Sequence, residues 1–290
     1  ISEPNRQVVH QQVGQLLLKN IPPNKREERI FDIVNQLNQG RELVKNQPER
    51  DELAELNLMA GRKAKASAAY QPALNYLQIG ISMLDDPASH NWQRQYELML
   101  ALYVEAAEAA YLSARYKQVE QLVETALQCA KTLLDKVKIY EIKIQAYTTQ
   151  NKLPEAVQTA RQILKLLGIK FPKNPNKFHA LVVLVKTKLT LIGKRIKDLN
   201  KLPEMTDPEK LATMRIMSRV AVAAYLGTPE LFPLLVLKQV TLSIKYGNTA
   251  LSGFAYAGYG LILCGVVGDI ENGYQFGKLA EAERNSAQAV

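Results

Sequence analysis

The side chains with the most potential for acid–base or metal chemistry are scattered along this 290-residue chain. Histidine and cysteine occur at five isolated positions: His10, His90, His179, Cys129 and Cys264. None of them has the short spacing that metal ligands share, and the two cysteines form no disulfide framework. Glu105 and Glu108 stand one helical turn apart, as many solvated glutamates do. We expect no metal, no cofactor and two reduced, buried thiols.

Glycine and lysine meet at two places where a phosphate-binding loop could be sought. Gly193-Lys194-Arg195 lacks the Ser or Thr and the upstream glycine of a Walker A loop. Gly258-Tyr-Gly260 fits neither that loop nor the dinucleotide-binding fingerprint, and no strand pattern precedes it. Nucleophile-elbow and kinase catalytic-loop motifs are absent from the sequence. We therefore expect that this chain is not an enzyme.

Positive charge is concentrated between residues 165 and 201. That segment holds ten basic residues and one acid, whereas the rest of the chain is balanced in charge. Its basic patch consists of Lys186, Lys188, Lys194, Arg195 and Lys197. The patch could bind a nucleic acid, an anionic membrane surface or an acidic partner domain, or it could be a solvated helix face. Phe171 and Phe178 are the only aromatic residues of the segment 165–201, and so few stacking side chains disfavour binding of a nucleic acid.

The apolar residues of the chain recur at helical spacing almost throughout, and one pattern repeats. The repeats are Gly61…Tyr70-x-x-Ala73…Gly80, Ala107…Tyr116-x-x-Val119…Ala126 and Tyr147…Leu153-x-x-Ala156…Ile163. Small and large apolar residues that alternate around a turn in this way are typical of tetratricopeptide-like (TPR-like) hairpins, which bury their apolar faces by stacking. The predicted fold is all-α, a right-handed α-solenoid without β-sheet. Apolar runs are too short to span a membrane, and we expect a cytoplasmic protein.

Local signals predict several helix ends and one helix seam. Gly168 suits a helix C-cap, and Asp207-Pro208 and Thr228-Pro229 each predict a capped helix start. Glycines in the last hairpin predict a tight seam between two helices: Gly253, Gly258, Gly260, Gly265 and Gly268. The predicted divisions are 1–47, 48–170 with the regular hairpins, and 171–290 with an irregular glycine-rich continuation.

A stack of hairpins exposes a concave groove lined by the first helix of each pair. The candidate partner-binding residues on those helices are Arg62, Lys65, Tyr103, Tyr111, Lys143 and Tyr147. The partner would be a protein. For each of these residues a solvated or packed position is the competing interpretation.

Seven segments of the sequence carry extended motifs: 29–40, 55–70, 102–111, 150–153, 167–172, 242–248 and 264–277. They resemble the helical region of large bacterial signalling proteins that combine a serine/threonine kinase, an AAA-type signal-transduction ATPase, a sensor and a histidine kinase. The resemblance implies that residues 1–47 are the helical tail of an ATPase module. It also implies that the kinase and ATPase residues precede this chain and the phosphorylated histidine follows it. No catalytic residue is carried over. Residues 281–290 depart from the family pattern because they are polar.

Overall fold

The computed structural model describes residues 3–84 and 91–288, which form two compact units, 1–131 and 132–290. The described residues form helices joined by turns and contain no β-sheet; Glu204 and Asn248 form an isolated β-bridge. The all-α prediction is confirmed. His90 lies outside the described residues.

The described part of the N-terminal unit contains seven α-helices and two short 3₁₀ helices, Pro23–Lys25 and Arg41–Leu43. The α-helices are α1 (Glu3–Asn20), α2 (Ile30–Gln39), α3 (Gln47–Ala66), α4 (Tyr70–Leu84), α5 (Asn91–Arg94), α6 (Tyr96–Leu112) and α7 (Tyr116–Cys129). Asn46 caps α3 by accepting a hydrogen bond from the Glu49 backbone N–H at 2.9 Å. Apolar side chains of α2 pack with those of α3 in one core, including Ile33 and Leu56.

The described part of the C-terminal unit contains seven further α-helices. They are α8 (Leu133–Thr149), α9 (Leu153–Leu166), α10 (Lys177–Leu191), α11 (Pro208–Gly227), α12 (Phe232–Tyr246), α13 (Ser252–Ile262) and α14 (Ile270–Gln288). A 3₁₀ helix spans Ile196–Lys201, and a π-helical turn spans Leu263–Val267. One apolar core joins α8, α9, α11 and α12, and a second joins α12, α13 and α14.

The three repeated hairpins share one turn geometry. The residues with left-handed backbone are Ala68, Ala114 and Asn151, each two positions before the aromatic or leucine residue of its repeat. The next N–H in each turn bonds a carbonyl five residues back, as in Ala69 to Ala64 at 2.9 Å. This Schellman geometry satisfies carbonyls at the helix end. Gly168, with φ of 80°, ends α9 in the same way, which confirms its predicted C-cap position.

The two predicted cap-plus-proline starts have different outcomes. The Asp207 carboxylate accepts hydrogen bonds from the backbone N–H groups of Glu209 and Lys210 at 2.9 and 3.1 Å, so this cap is confirmed. The start at Thr228 is wrong, because Thr228 and Pro229 lie in a separate turn closed by the Leu231 N–H on the Thr228 carbonyl. Helix α12 begins after that turn, at Phe232.

The predicted glycine seam is confirmed at Gly258 and Gly260, is wrong at Gly265 and Gly268, and stays a prediction at Gly253. A Cβ on Gly260 would lie 2.8 Å from the Gly273 carbonyl oxygen of α14, and one on Gly258 would lie 3.0 Å from Val236. A Cβ on Gly265 or Gly268 would have no neighbour within 4 Å. Gly268 instead has a left-handed backbone, φ 77°, which allows the chain to turn between α13 and α14.

Candidate partner-binding site

Arg62 and Lys65, two of the predicted partner-binding residues, belong to an ion-pair cluster between α3 and α6. The Glu105 carboxylate accepts a hydrogen bond from Arg62 Nε at 2.9 Å and one from Lys65 Nζ at 2.5 Å. Lys65 Nζ also donates to Glu108 at 2.5 Å. The side chains of Lys65 and Glu105 are 21% and 17% exposed. Arg62 and Lys65 therefore connect α3 to α6 within the N-terminal unit.

The cluster changes the pKa values of its two central groups. Burial alone would lower the pKa of Lys65, but its hydrogen bonds to Glu105 and Glu108 outweigh burial and raise it. Burial alone would raise the pKa of Glu105, but hydrogen bonds and charge from Lys65 and Arg62 outweigh it and lower the value. Both groups are held in their charged forms.

We expect Glu105→Gln to lower the free energy of unfolding by about 1–2 kcal/mol near neutral pH, because it removes the main counter-charge of Lys65. Since the pKa of Glu105 is lowered in the fold, its contribution is complete above the unfolded pKa, about 4.3, and is lost as pH falls through the folded value. Urea unfolding at about pH 7 and about pH 3 should show the gap between wild type and variant narrowing in acid.

The matched control for this experiment is Glu124→Gln, which changes an exposed glutamate of α7. It should leave the free energy of unfolding within about 0.5 kcal/mol of wild type at both pH values. A Glu105→Gln variant as stable as wild type near neutral pH would show that the cluster contributes nothing to stability.

The other four predicted partner-binding residues are all half-buried. The Tyr103 ring on α6 packs against Trp92 with centroids 5.2 Å apart, and Tyr111 lies on the same helix. In the C-terminal unit, Lys143 Nζ lies 5.8 Å from the centroid of the Tyr147 ring, and Lys152 Nζ lies at the same distance. The six candidates are thus divided between two units, four and two, and their role in binding a partner stays a prediction.

All five residues of the predicted basic patch are solvent-exposed. Lys186 and Lys188 lie on α10, whereas the other three follow it. Arg195 donates a hydrogen bond from Nε to Asp198 at 2.6 Å, and Lys201 lies 3.4 Å from the same carboxylate. That acid therefore neutralises the patch locally at its C-terminal end. The lysines of α10 have no acidic residue on their own helix.

Helix α10 carries a feature that sequence reasoning missed, an apolar stripe that faces solvent. Its six residues, called here the α10 ridge, are 36–72% exposed: Phe178, Leu181, Val182, Val185, Leu189 and Ile192. They recur at three- and four-residue steps, which places them on one face over about 21 Å of helix. Val183, Leu184 and Leu191 occupy the opposite face and pack on the core around α12 and α13.

Lysines border the α10 ridge on both sides. At about 100° per residue, Lys177 and Lys188 lie along one edge of the stripe and Lys186 along the other. Asn176 begins the helix by accepting a hydrogen bond from the His179 N–H at 3.1 Å. The exposed surface of α10 is consequently an apolar stripe framed by positive charge.

A groove of about 410 Å³ runs beside the ridge between α10, α12 and the end of α13. Its apolar walls include Leu181, Leu184, Leu237 and Ile262, and Val266 at its rim is 78% exposed. Single exposed apolar residues are common on protein surfaces, but a contiguous apolar patch beside a groove marks an interaction site. The ridge and the groove together form an apolar surface with a concave flank on which a partner could pack.

The described residues contain neither a candidate metal site nor a candidate membrane-spanning helix. No three His, Cys, Asp or Glu side chains come together there in an arrangement able to hold a metal ion. Cys129 and Cys264 are free thiols, and both are half-buried, so the prediction that they are buried is wrong. No helix within 3–84 or 91–288 combines the length and apolar character needed to cross a bilayer.

Comparison with characterised proteins finds a distant relative, the hybrid signal transduction histidine kinase G of Dictyostelium discoideum. The two sequences are 27% identical over 275 residues, which cover 87% of this chain and 8% of the relative. The chain thus spans less than a tenth of the relative's length. No protein-family profile and no solved structure matches the chain. This helical module, distantly similar to part of a signalling kinase, fits a role in signal transduction.

Proposed function

We propose that this chain is a non-catalytic, TPR-like interaction and coupling module of a multidomain signalling kinase that also carries an AAA-type ATPase. Two observations support the context: the distant similarity to a hybrid histidine kinase and the turn geometry common to three hairpins. The module would bind a protein, either another domain of the same polypeptide or a separate partner, and its occupancy would bias the ATPase and kinases between two states.

The observation that carries the proposal is the α10 ridge with its groove. Six large apolar side chains on one exposed helix face cost free energy in water, and a partner that covers them recovers about 25 cal/mol for each Å² of apolar surface buried. An amphipathic helix laid beside the ridge would place its own apolar side chains in the groove, a common mode of recognition.

The charge around the ridge selects the chemistry of the partner. Lys177, Lys186 and Lys188 border the stripe, whereas Glu230 lines the groove, so a helix with acidic residues on the side that faces α10 would be attracted and aligned. The groove favours a protein over a bilayer, because a helix has side chains that fill a concavity of about 410 Å³. The polyanion alternative relies on the exposed lysines and leaves the ridge without a role.

We expect Val185→Asp/Leu189→Asp, made in the full-length polypeptide that contains this chain, to change histidine autophosphorylation and ATP hydrolysis by at least about fivefold. Truncation or charge at the centre of an interface commonly costs about 2 kcal/mol or more, whereas exposed positions contribute little to stability. Leu166→Asp, which changes a residue 56% exposed on α9 outside the ridge, is the matched control and should behave as wild type.

Three outcomes would contradict the proposal. Unchanged activities in the ridge variant would show that the ridge couples to nothing. A dimer of the isolated chain, lost in the same variant, would make a second copy the occupant. Binding to anionic vesicles or nucleic acid that falls steeply with salt, with unchanged kinase coupling, would establish the polyanion alternative instead.

A further inference from the structure

A second cavity lies on the opposite flank of α10 from the apolar groove. It measures about 490 Å³ and is enclosed by α10, α12 and the segment 168–172. Apolar side chains supply most of its wall: Ile169, Phe171, Pro172, Val183 and Leu234. Small-molecule sites are typically cavities of about 300–1,000 Å³ with apolar walls and a few polar groups, and this cavity has both properties.

The polar groups of the cavity are mainly cationic. Lys186 of α10 and Lys238 and Thr241 of α12 line it together. The Thr241 hydroxyl donates to the Leu237 carbonyl at 2.8 Å and lies 3.2 Å from the Thr187 hydroxyl, which fixes α10 beside α12 at this point. The two lysines are therefore presented from neighbouring helices to the same space.

Lys238 is half-buried and lacks a counter-ion among the described residues. Burial lowers the pKa of Lys238 most, and the positive charges of Lys245, Lys186 and Lys210 lower it further. No carboxylate contributes to the shift. A cation that is partly withdrawn from water and surrounded by other cations is unfavourable until an anion joins it.

We propose that this cavity binds a small amphiphilic anion, a carboxylate or phosphate carried on a short acyl or aryl group. The anionic head would pair with Lys186 and Lys238, and the hydrocarbon would pack against Phe171, Val183 and Leu234. Charge-assisted hydrogen bonds to the two ammonium groups supply orientation, and burial of the apolar part supplies affinity. Phe178 and Val182 of the ridge also line this cavity, so a ligand bound here would contact the helix that presents the ridge and could alter its packing against a partner.

Isothermal titration of the isolated chain with decanoate and with decyl phosphate tests the site. We expect saturable one-to-one binding of at least one of them below about 1 mM, and the tighter ligand identifies the preferred head group. Decyltrimethylammonium has the same chain with the opposite charge and should not bind.

The variant Lys238→Met keeps the length of the side chain and removes its charge, and we expect it to weaken binding at least about tenfold without loss of thermal stability. Val182→Trp, which fills the rim of the cavity from the exposed face of α10, should weaken binding by steric exclusion. Lys197→Met removes an exposed lysine of the basic segment outside the cavity and should bind as wild type.

The inference is overturned if neither anion binds, if the cationic amphiphile binds equally well, or if Lys238→Met binds as wild type. Equal losses in Lys238→Met and Lys197→Met would also overturn it, since they would indicate diffuse attraction to the basic segment. Val185→Ala/Leu189→Ala truncates ridge residues that do not line the cavity and adds no charge beside Lys186, so its binding of decanoate should be unchanged. Failure of the docking proposal and failure of the cavity proposal are thereby distinguishable.

Discussion

Replacing Asn248 with alanine should lower the free energy of unfolding by about 3 kcal/mol, because it leaves several buried polar groups without partners. The Asn248 amide donates hydrogen bonds to the Leu199 carbonyl and to the Glu283 carboxylate, each at 2.8 Å. Its carbonyl oxygen accepts a hydrogen bond from the Tyr256 hydroxyl at 2.8 Å. The side chain thus connects the 3₁₀ helix, α13 and α14.

The loss of these hydrogen bonds strongly destabilises the fold because the surroundings of Asn248 are buried. Asn248 is 7% exposed and Tyr256 is fully buried. Burial, together with the nearby negative charge of Glu283, raises the pKa of Tyr256 and keeps its hydroxyl protonated as a donor. Burial also raises the pKa of Glu283. Water cannot reach the Leu199 carbonyl or the Tyr256 hydroxyl without opening the core, so each of these two orphaned groups costs roughly 1–3 kcal/mol.

Urea unfolding followed by circular dichroism measures the effect of Asn248→Ala. The matched control is Asn200→Ala, which changes an exposed asparagine of the 3₁₀ helix and should stay within about 0.5 kcal/mol of wild type. A loss below about 1 kcal/mol in Asn248→Ala would mean that the three hydrogen bonds are not maintained in solution.

The second large effect is expected at the preceding residue, where Gly247→Ala should destabilise the chain by about 4 kcal/mol. Gly247 has φ of 105° and ψ of 170°, a region of backbone conformation that is essentially restricted to glycine. A Cβ at this position would also collide with the Pro203 carbonyl oxygen, which is backbone and cannot rotate away. The backbone strain and the steric collision therefore both lower the free energy of unfolding of Gly247→Ala.

Gly193→Ala separates these two contributions. Gly193 also has a left-handed φ, 76°, but nothing lies within 4 Å of the position its Cβ would take. We expect a loss of only about 1 kcal/mol there, from backbone strain alone. Equal midpoints of thermal unfolding for the two alanine variants would show that the collision at Gly247 is relieved by movement of residues 203–205.

The segment 242–248 is one of those that resemble the signalling family, and these contacts show what Gly247 and Asn248 do in the fold. The Asn248 N–H donates to the Pro203 carbonyl and the Met205 N–H to the Asn248 carbonyl, both at 2.8 Å. Gly247 permits this close approach and Asn248 satisfies the polar groups that it buries. Neither role is visible in the sequence, because Pro203 and Leu199 lie more than 40 residues away along the chain.

Local chemistry determined much of the fold. The helices, the Asp207 cap, the Gly168 C-cap and the recurring hairpin turns follow from interactions within about five residues, which the sequence displays directly. The predicted divisions at 47/48 and 170/171 stay predictions, although apolar residues of α2 and α3 share one core and residues on both sides of 170 share another.

Tertiary structure alone decided which surfaces remain for function. Helix α10 has apolar residues on opposite faces, so its periodicity could not indicate that Val183 and Leu184 are packed while Val185 and Leu189 are exposed. Arg62 and Lys65 pair with Glu105, some 40 residues later in the chain, and the sequence does not display this counter-charge. Their role in partner binding stays a prediction. The sequence by itself determined the helical class and several helix ends, such as the Asp207 cap and the Gly168 C-cap, because those signals are local. Burial and charge pairing depend on residues brought together across the fold, so only the tertiary structure located the α10 ridge and the cationic cavity.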